Sequence, residues 1–175
     1  MTARPPLVIV LMGVSGSGKS TTGALLSAEL GWPFRDADSF HPPANVAKMS
    51  RGVSLDDEDR RPWLDAIAAW IDARLAAGEN AIVSCSALKR AYRDRIAGAR
   101  QGVRLVFLQG DASLLEERMR NRQGHFMPAS LLASQFAILE EPSAEEAVIV
   151  SVTSKPERVV AEIIERLALT PDRPA

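Results

Sequence analysis

The chain has 175 residues, 46% hydrophobic and 25% charged, which suits one globular domain with a sizeable core. Its formal net charge of -1 gives no reason to expect a nucleic-acid partner, and no apolar run approaches membrane-spanning length. One cysteine, Cys85, excludes an internal disulfide and fits a reducing compartment; with no segment that reads as a signal peptide, the expected location is the cytoplasm.

Leu7 to Met12 is a continuous apolar run and reads as a strand buried on both faces. Gly13-Val14-Ser15-Gly16-Ser17-Gly18-Lys19-Ser20 follows and fits G-x-x-x-x-G-K-S/T, the P-loop. From Lys19 to Leu30 apolar residues recur at helical spacing. Such a loop turns its N–H groups towards phosphate oxygens, and the helix adds its N-terminal partial charge. The nucleotide ligands expected here are Gly13 through Ser20 together with Thr21. Lys19 would reach the β- and γ-phosphates of ATP, and Ser20 would ligate Mg²⁺. A Gly/Ser-rich linker would not be flanked so tightly by a buried strand and a helix.

Gly31 closes the helix, and Trp32 to Arg35 reads as a short extended piece leading into Asp36-Ala37-Asp38. At the C-terminal end of a second parallel strand, both carboxylates would lie beside the P-loop and share one face. One would sit near Mg²⁺, directly or through water, and the other would accept a proton from an attacking hydroxyl. A solvated, aspartate-rich turn or a helix cap is the alternative. His41, Asn45 and Lys48 then fall at helical spacing on a short helix opened by Pro42-Pro43 and ended by Gly52, either as a wet face or as a substrate wall.

Asp56 to Asp59 open a longer helix, to about Ala77, and suit its dipole. Arg60 and Arg61 so near its start can face a carboxylate or phosphate. Trp63, Ile67, Trp70 and Ile71 read as its core face. Asn80 to Ser86 is a third buried strand without an acidic residue, which shifts Mg²⁺ ligation to Ser20, water and Asp36. A helix beginning near Ala87 places Lys89 and Arg93 on one face, as candidates for an anionic substrate group or as a plain basic surface.

Val103 to Leu108 is a fourth strand, and Asp111 or Ser113 can cap the next helix. Arg118 and Arg122 share a face there. The Gly124-His125-Phe126-Met127-Pro128 turn and a helix through Leu139 follow, so residues from about 118 to 140 read as a lid that closes over the phosphates. Ala147 to Val152 is the fifth strand, and Ser154 to Glu157 fits a capping box for a last helix. The loop between them lies where an adenine would rest. Five buried strands alternating with helices predict a three-layer α/β/α sandwich on a parallel sheet, as one domain over 1–175.

On these residues alone the chain reads as a P-loop phosphotransferase with a small acceptor. The sequence also resembles the gluconokinase family. The resemblance rests on the stretch Met12 to Ser20, on Asp36-Ala37-Asp38, and on His41-Pro42 with Asn45, Lys48 and Met49. It continues through Asp57 to Leu64, Cys85-Ser86-Ala87-Leu88-Lys89 with Tyr92-Arg93, Gly124-His125-Phe126, and Gln135-Phe136 with Leu139-Glu140 and Pro142. The family commonly has Gly where Ala37 stands, a small departure that keeps the carboxylate spacing.

The resemblance implies transfer of the ATP γ-phosphate to the 6-hydroxyl of D-gluconate, a fold similar to shikimate and nucleoside monophosphate kinases, and a homodimer. Mapped onto these residues, catalysis would fall to Lys19, Asp38 and Arg122, with Asp38 orienting, and deprotonating, the acceptor hydroxyl. Arg60 and Lys89, with Asp38, His41, Lys48 and Arg93, would line the gluconate site. Arg118 and Arg122 would serve the phosphates, and Ser20 and Asp36 the metal. Another small-acid kinase, or an ATP-binding switch without an acceptor, shares the P-loop and stays open on the residues themselves.

Overall fold

The computed structural model describes residues 4–121 and 129–172. Among these, β1 (Val8–Met12), β2 (Phe34–Asp36), β3 (Ala81–Ser84), β4 (Val103–Gln109) and β5 (Ala147–Ser151) form one sheet in the order β2-β3-β1-β4-β5. Every pairing is parallel. The helices are α1 (Lys19–Leu30), α2 (Pro43–Ser50), α3 (Asp57–Ala76), α4 (Arg90–Ile96), α5 (Ala112–Arg120), α6 (Ala129–Ile138) and α7 (Pro156–Leu167).

Side-chain alternation along β1 explains the layers. Val8, Val10 and Met12 pack with Trp63, Ile67 and Ile71 of α3 and Ile96 of α4. Ile9 and Leu11 pack with Leu26 and Leu30 of α1 and Val160 and Ile163 of α7. All of β1 is therefore buried. Each such Ile or Leu side chain contributes about 2 kcal/mol through burial. Leu115 of α5 and Leu132 of α6 join the α1 and α7 side.

β1 pairs with β3 on one edge and β4 on the other, so the chain's direction of winding reverses at its C-terminal end. The crevice that this reversal leaves is where open α/β sheets hold ligands, and the P-loop emerges into it. α1 lies close over β2 because residue 23 is glycine: a Cβ there would come within 2.4 Å of the Phe34 ring.

The structure corrects three local expectations. Asp38 does not continue an extended strand. β2 ends at Asp36, and residues Ala37–Phe40 form a single 3-10 turn capped by the Asp36 carboxylate, which accepts the Asp38 N–H at 2.9 Å. The two carboxylates are held by a turn and not by strand alternation. Second, α4 starts at Arg90 and not near Ala87, which instead adopts φ 45. Third, the last helix has Lys155 at its N-cap and Pro156 as its first residue, so Ser154 stands one place too early to cap it.

Candidate active site

The P-loop leaves β1 at Gly13 and enters α1 at Lys19. Gly16 and Gly18 have φ of 80 and 88, the left-handed region that other residues avoid. Gly16 also sits against α5, where a Cβ would approach the Leu115 carbonyl at 3.2 Å. The Lys19 ammonium curls back over the loop and donates to the carbonyls of Gly13 (2.8 Å) and Val14 (3.0 Å). A cation poised above a ring of backbone amides is a site for a polyphosphate.

Ser20 links this loop to the second half of the site. Its hydroxyl donates to Asp36 Oδ2 at 2.7 Å, while Asp36 Oδ1 caps the turn that holds Asp38. Two hard oxygen donors side by side next to a phosphate cradle suit Mg²⁺, which takes one or two protein ligands and fills its octahedron with phosphate and water. Among the described residues no three His, Cys, Asp or Glu groups gather as a metal site; the sparse Ser20 and Asp36 pair fits an ion that arrives with a nucleotide.

Beyond the turn, α2 packs on the start of α3. Asn45 is buried, and its amide donates to the Asp59 carbonyl at 2.8 Å and faces His41 Nδ1 at 3.3 Å. The His41 ring stacks on Trp63 with centroids 4.4 Å apart, and the Trp63 indole donates to the Ala37 carbonyl at 2.7 Å. Burial, and then Arg60, lower the His41 pKa to about 4, against a smaller opposing effect of Asp36. A neutral ring is the result at neutral pH. With the Asn45 amide on Nδ1, the ring proton belongs on Nε2, which lies 4.0 Å from Asp38 Oδ1. The Asp38 side chain is 85% exposed at the crevice. Lys48 pairs with Asp59 at 2.7 Å, so the stripe His41, Asn45, Lys48 is packed against α3 and is not a wet face.

A second cluster spans α3 and α4. Arg60 donates to the Tyr92 hydroxyl at 3.0 Å, and Tyr92 donates to Asp57. Lys89 also binds Asp57, at 2.9 Å. The Tyr92 and Lys89 hydrogen bonds hold the Asp57 carboxyl below its ordinary pKa, and Asp57 raises Lys89. Lys89 and the Tyr92 phenol thus grip one carboxylate, with Arg60 braced on the phenol, and this pair of cations around a carboxylate suits the binding of a substrate carboxylate.

Arg93 stands apart from the other sequence candidates. It is 1% exposed, and its guanidinium binds Glu146 at 2.6 Å and the carbonyls of Ala87 and Leu88 at 3.1 and 3.2 Å. It braces the turn at the end of β3, where it has no open face towards an acceptor. Arg118 of α5 donates to the Val152 carbonyl beside β5, the region where the sequence puts adenine. Arg122 and the Gly124-His125-Phe126 stretch lie outside the described residues. Thr21 is exposed on the first turn of α1.

Three contributors went unassigned in the sequence. Tyr92 and Asp57 stood only within stretches that matched a family. Their signal was weak because Asp57 sits in an acidic run that a helix dipole explains. Gln135 of α6 binds Ser15 in the P-loop, with Oε1 accepting the Ser15 N–H at 2.8 Å and Nε2 donating to Ser15 Oγ at 2.9 Å.

A parallel sheet in the order 2-3-1-4-5, with this loop at the end of its middle strand, defines a P-loop protein of kinase architecture. Residues 8–142 match the family described as an AAA domain. A gluconokinase of Gluconobacter oxydans is 46% identical over 160 residues, covering 91% of this chain and 90% of the relative. The crystal structure of a gluconokinase from Sinorhizobium meliloti superposes with a TM-score of 0.82 at 49% identity, covering 95% of this chain and 94% of that one. Shikimate kinase from Aquifex aeolicus shares the fold, with a TM-score of 0.59 at 22% identity over 93% of this chain and 96% of its own. The chain is therefore a member of the AAA domain family and, more narrowly, of the gluconokinase family.

Proposed function

We propose that the protein is an ATP-dependent gluconokinase that moves the γ-phosphoryl group of ATP to the 6-hydroxyl of D-gluconate, giving 6-phospho-D-gluconate and ADP. Family membership supports the reaction. The observation that carries it in this chain is the Ser20 to Asp36 hydrogen bond, which joins a phosphate cradle to the turn bearing Asp38.

The loop amides from Gly13 to Ser20, with Thr21 following, hold the phosphates, and Lys19 leaves the loop carbonyls for the β- and γ-oxygens. Ser20 and Asp36 hold Mg²⁺, which neutralises phosphate charge when bound. Arg60 and Lys89 hold the gluconate carboxylate, with Tyr92 fixing Arg60. Asp38 orients the 6-hydroxyl and takes its proton as the oxygen bonds to the γ-phosphorus and the bond to ADP breaks. The neutral His41 ring lines the acceptor side with its Nε2 4.0 Å from Asp38 Oδ1, and Lys48 holds Asp59 and the start of α3. Arg118 and Arg122, from the segment of about 118–140 that the sequence reads as a lid, would serve the nucleotide phosphates, while α6 within that segment stays packed on the P-loop through Gln135 and Leu132. Arg93 is left a positioning role. A single kinase domain, a cytoplasmic location and, as the resemblance implies, a homodimer complete the reading.

The test is ADP release from Mg-ATP with D-gluconate beside shikimate, glycerate and nucleoside monophosphates. Stimulation by gluconate alone is expected; stimulation by another acceptor would discard the acceptor assignment and keep the phosphate site. Asp38→Asn in the same assay should lower kcat by about 10²-fold with little change in gluconate KM. Unchanged turnover would remove Asp38 from the proton transfer.

A further inference from the structure

Helix α6 touches both halves of the site, and neither contact is assigned by the proposed mechanism. Near its end, Gln135 makes a two-point contact with Ser15, one bond to the backbone N–H and one to the hydroxyl. Just beyond its end, Glu140 makes a second two-point contact with the start of α4. Its N–H donates to the Leu88 carbonyl at 2.8 Å, and its Oε2 accepts the Arg90 N–H at 2.8 Å. Lys89 lies between those two residues.

The local chemistry explains why each contact is needed. Lys89 occupies the N-cap of α4 and supplies no side-chain acceptor, so the helix's first donors need a partner from elsewhere. Glu140 is that partner. The Ser15-Gly16 corner is the outer edge of the P-loop, packed against α5 at Gly16 and against Gln135 at Ser15. Leu132, 1% exposed, roots α6 in the same core as Val14, Leu88 and Leu115. A paired contact fixes orientation as well as distance, so α6 sets how the loop faces the Lys89 cation.

We propose that α6 is a strut between the nucleotide and acceptor halves, with Gln135 a positioning residue for the P-loop and Glu140 a positioning residue for Lys89. Neither residue touches substrate. The proposal rests on the gluconokinase reading only for the identity of the acceptor. Phosphoryl transfer needs its oxygens in line, and about 1 Å of misplacement costs on the order of 10²-fold in rate.

The experiment pairs steady-state kinetics with calorimetric binding of Mg-AMPPNP and of gluconate to the full chain. Gln135→Ala should weaken Mg-AMPPNP about tenfold and leave gluconate affinity without nucleotide within about twofold. Glu140→Ala should raise gluconate KM about tenfold and leave Mg-AMPPNP affinity within about twofold, and Glu140→Gln, whose amide oxygen still accepts the Arg90 N–H, should restore it. Gln135→Met keeps the volume and removes both hydrogen bonds, and replaces Gln135→Ala if that variant does not fold. A fall in melting temperature alone, or equal weakening of both ligands by each variant, would overturn the strut and leave α6 a packing element. The nucleotide arm needs no acceptor. Its failure is therefore distinct from finding that the protein phosphorylates something other than gluconate.

Discussion

The two halves of the site are built from different material. The nucleotide half is backbone: loop amides, a helix N-terminus and two left-handed glycines, all within Gly13 to Ser20. The proposed acceptor half is side chain on side chain: Arg60, Tyr92, Asp57 and Lys89 meet from helices that begin far apart in sequence. A backbone site keeps its shape when empty because chain geometry defines it. A side-chain site of ions satisfies itself when empty, here by gripping Asp57, and must exchange partners when substrate enters. The first half should therefore fail abruptly when its cation is removed, and the second by degrees.

Removing the cation of the backbone half has the largest expected effect. Lys19→Ala should lower kcat/KM for ATP by about 10³-fold, since no other described side chain reaches back over the loop carbonyls. Retention of a tenth of the activity would erase the contrast. Next comes a residue that looked like acceptor chemistry and is structural. Arg93→Met leaves Glu146 and two carbonyls of the β3 turn without their donor, and should cost about 3 kcal/mol in urea unfolding. The gluconate KM of the folded protein should stay within about twofold. A large rise in KM without loss of stability would return Arg93 to the substrate.

These two residues show what the sequence disclosed. The P-loop was legible because its chemistry lies in the spacing of consecutive residues, and the strands because burial on both faces leaves an unbroken apolar run. α1 was legible down to its Gly31 cap, at φ 71. Arg93 was not, because its partner Glu146 is 53 positions away and comes to it only through the turn at Ala87. Asp38 was read as strand because alternation with Asp36 is also what a strand shows; that the Asp36 carboxylate prefers the Asp38 N–H is a local competition the pattern does not record. Asp57 was absorbed by the helix-dipole explanation, although the capping itself is done by Asp56 and Asp59.

Within the side-chain half, Lys89→Ala should raise gluconate KM about tenfold and leave the ATP KM within about twofold. Loss of the cation also frees Asp57, which would then face the substrate carboxylate with only Tyr92 on it. Lys89→Ala combined with Asp57→Asn should accordingly recover part of the loss. An effect confined to ATP would place Lys89 in the other half.

The smallest effect separates the halves by pH. His41 has a pKa of about 4 in the fold and an ordinary value of 6.5, so the unfolded chain binds the extra proton between those values. Stability from the neutral ring is full above pH 6.5 and declines as the pH falls towards 4. The lowered Asp57 and Asp59 act in the same direction, but only below their ordinary value of 3.8. The interval from 6.5 to 4 thus isolates His41 from these carboxylates. Urea unfolding at pH 7.5 and pH 5.0 should show the wild-type chain losing more stability than His41→Gln, which has no ring to protonate. The P-loop holds no histidine, so Mg-AMPPNP affinity should move less over that interval than gluconate affinity. Equal pH slopes in the wild type and the variant would mean that the stack on Trp63 does not exclude the proton, and that His41 belongs to the exposed face the sequence first offered.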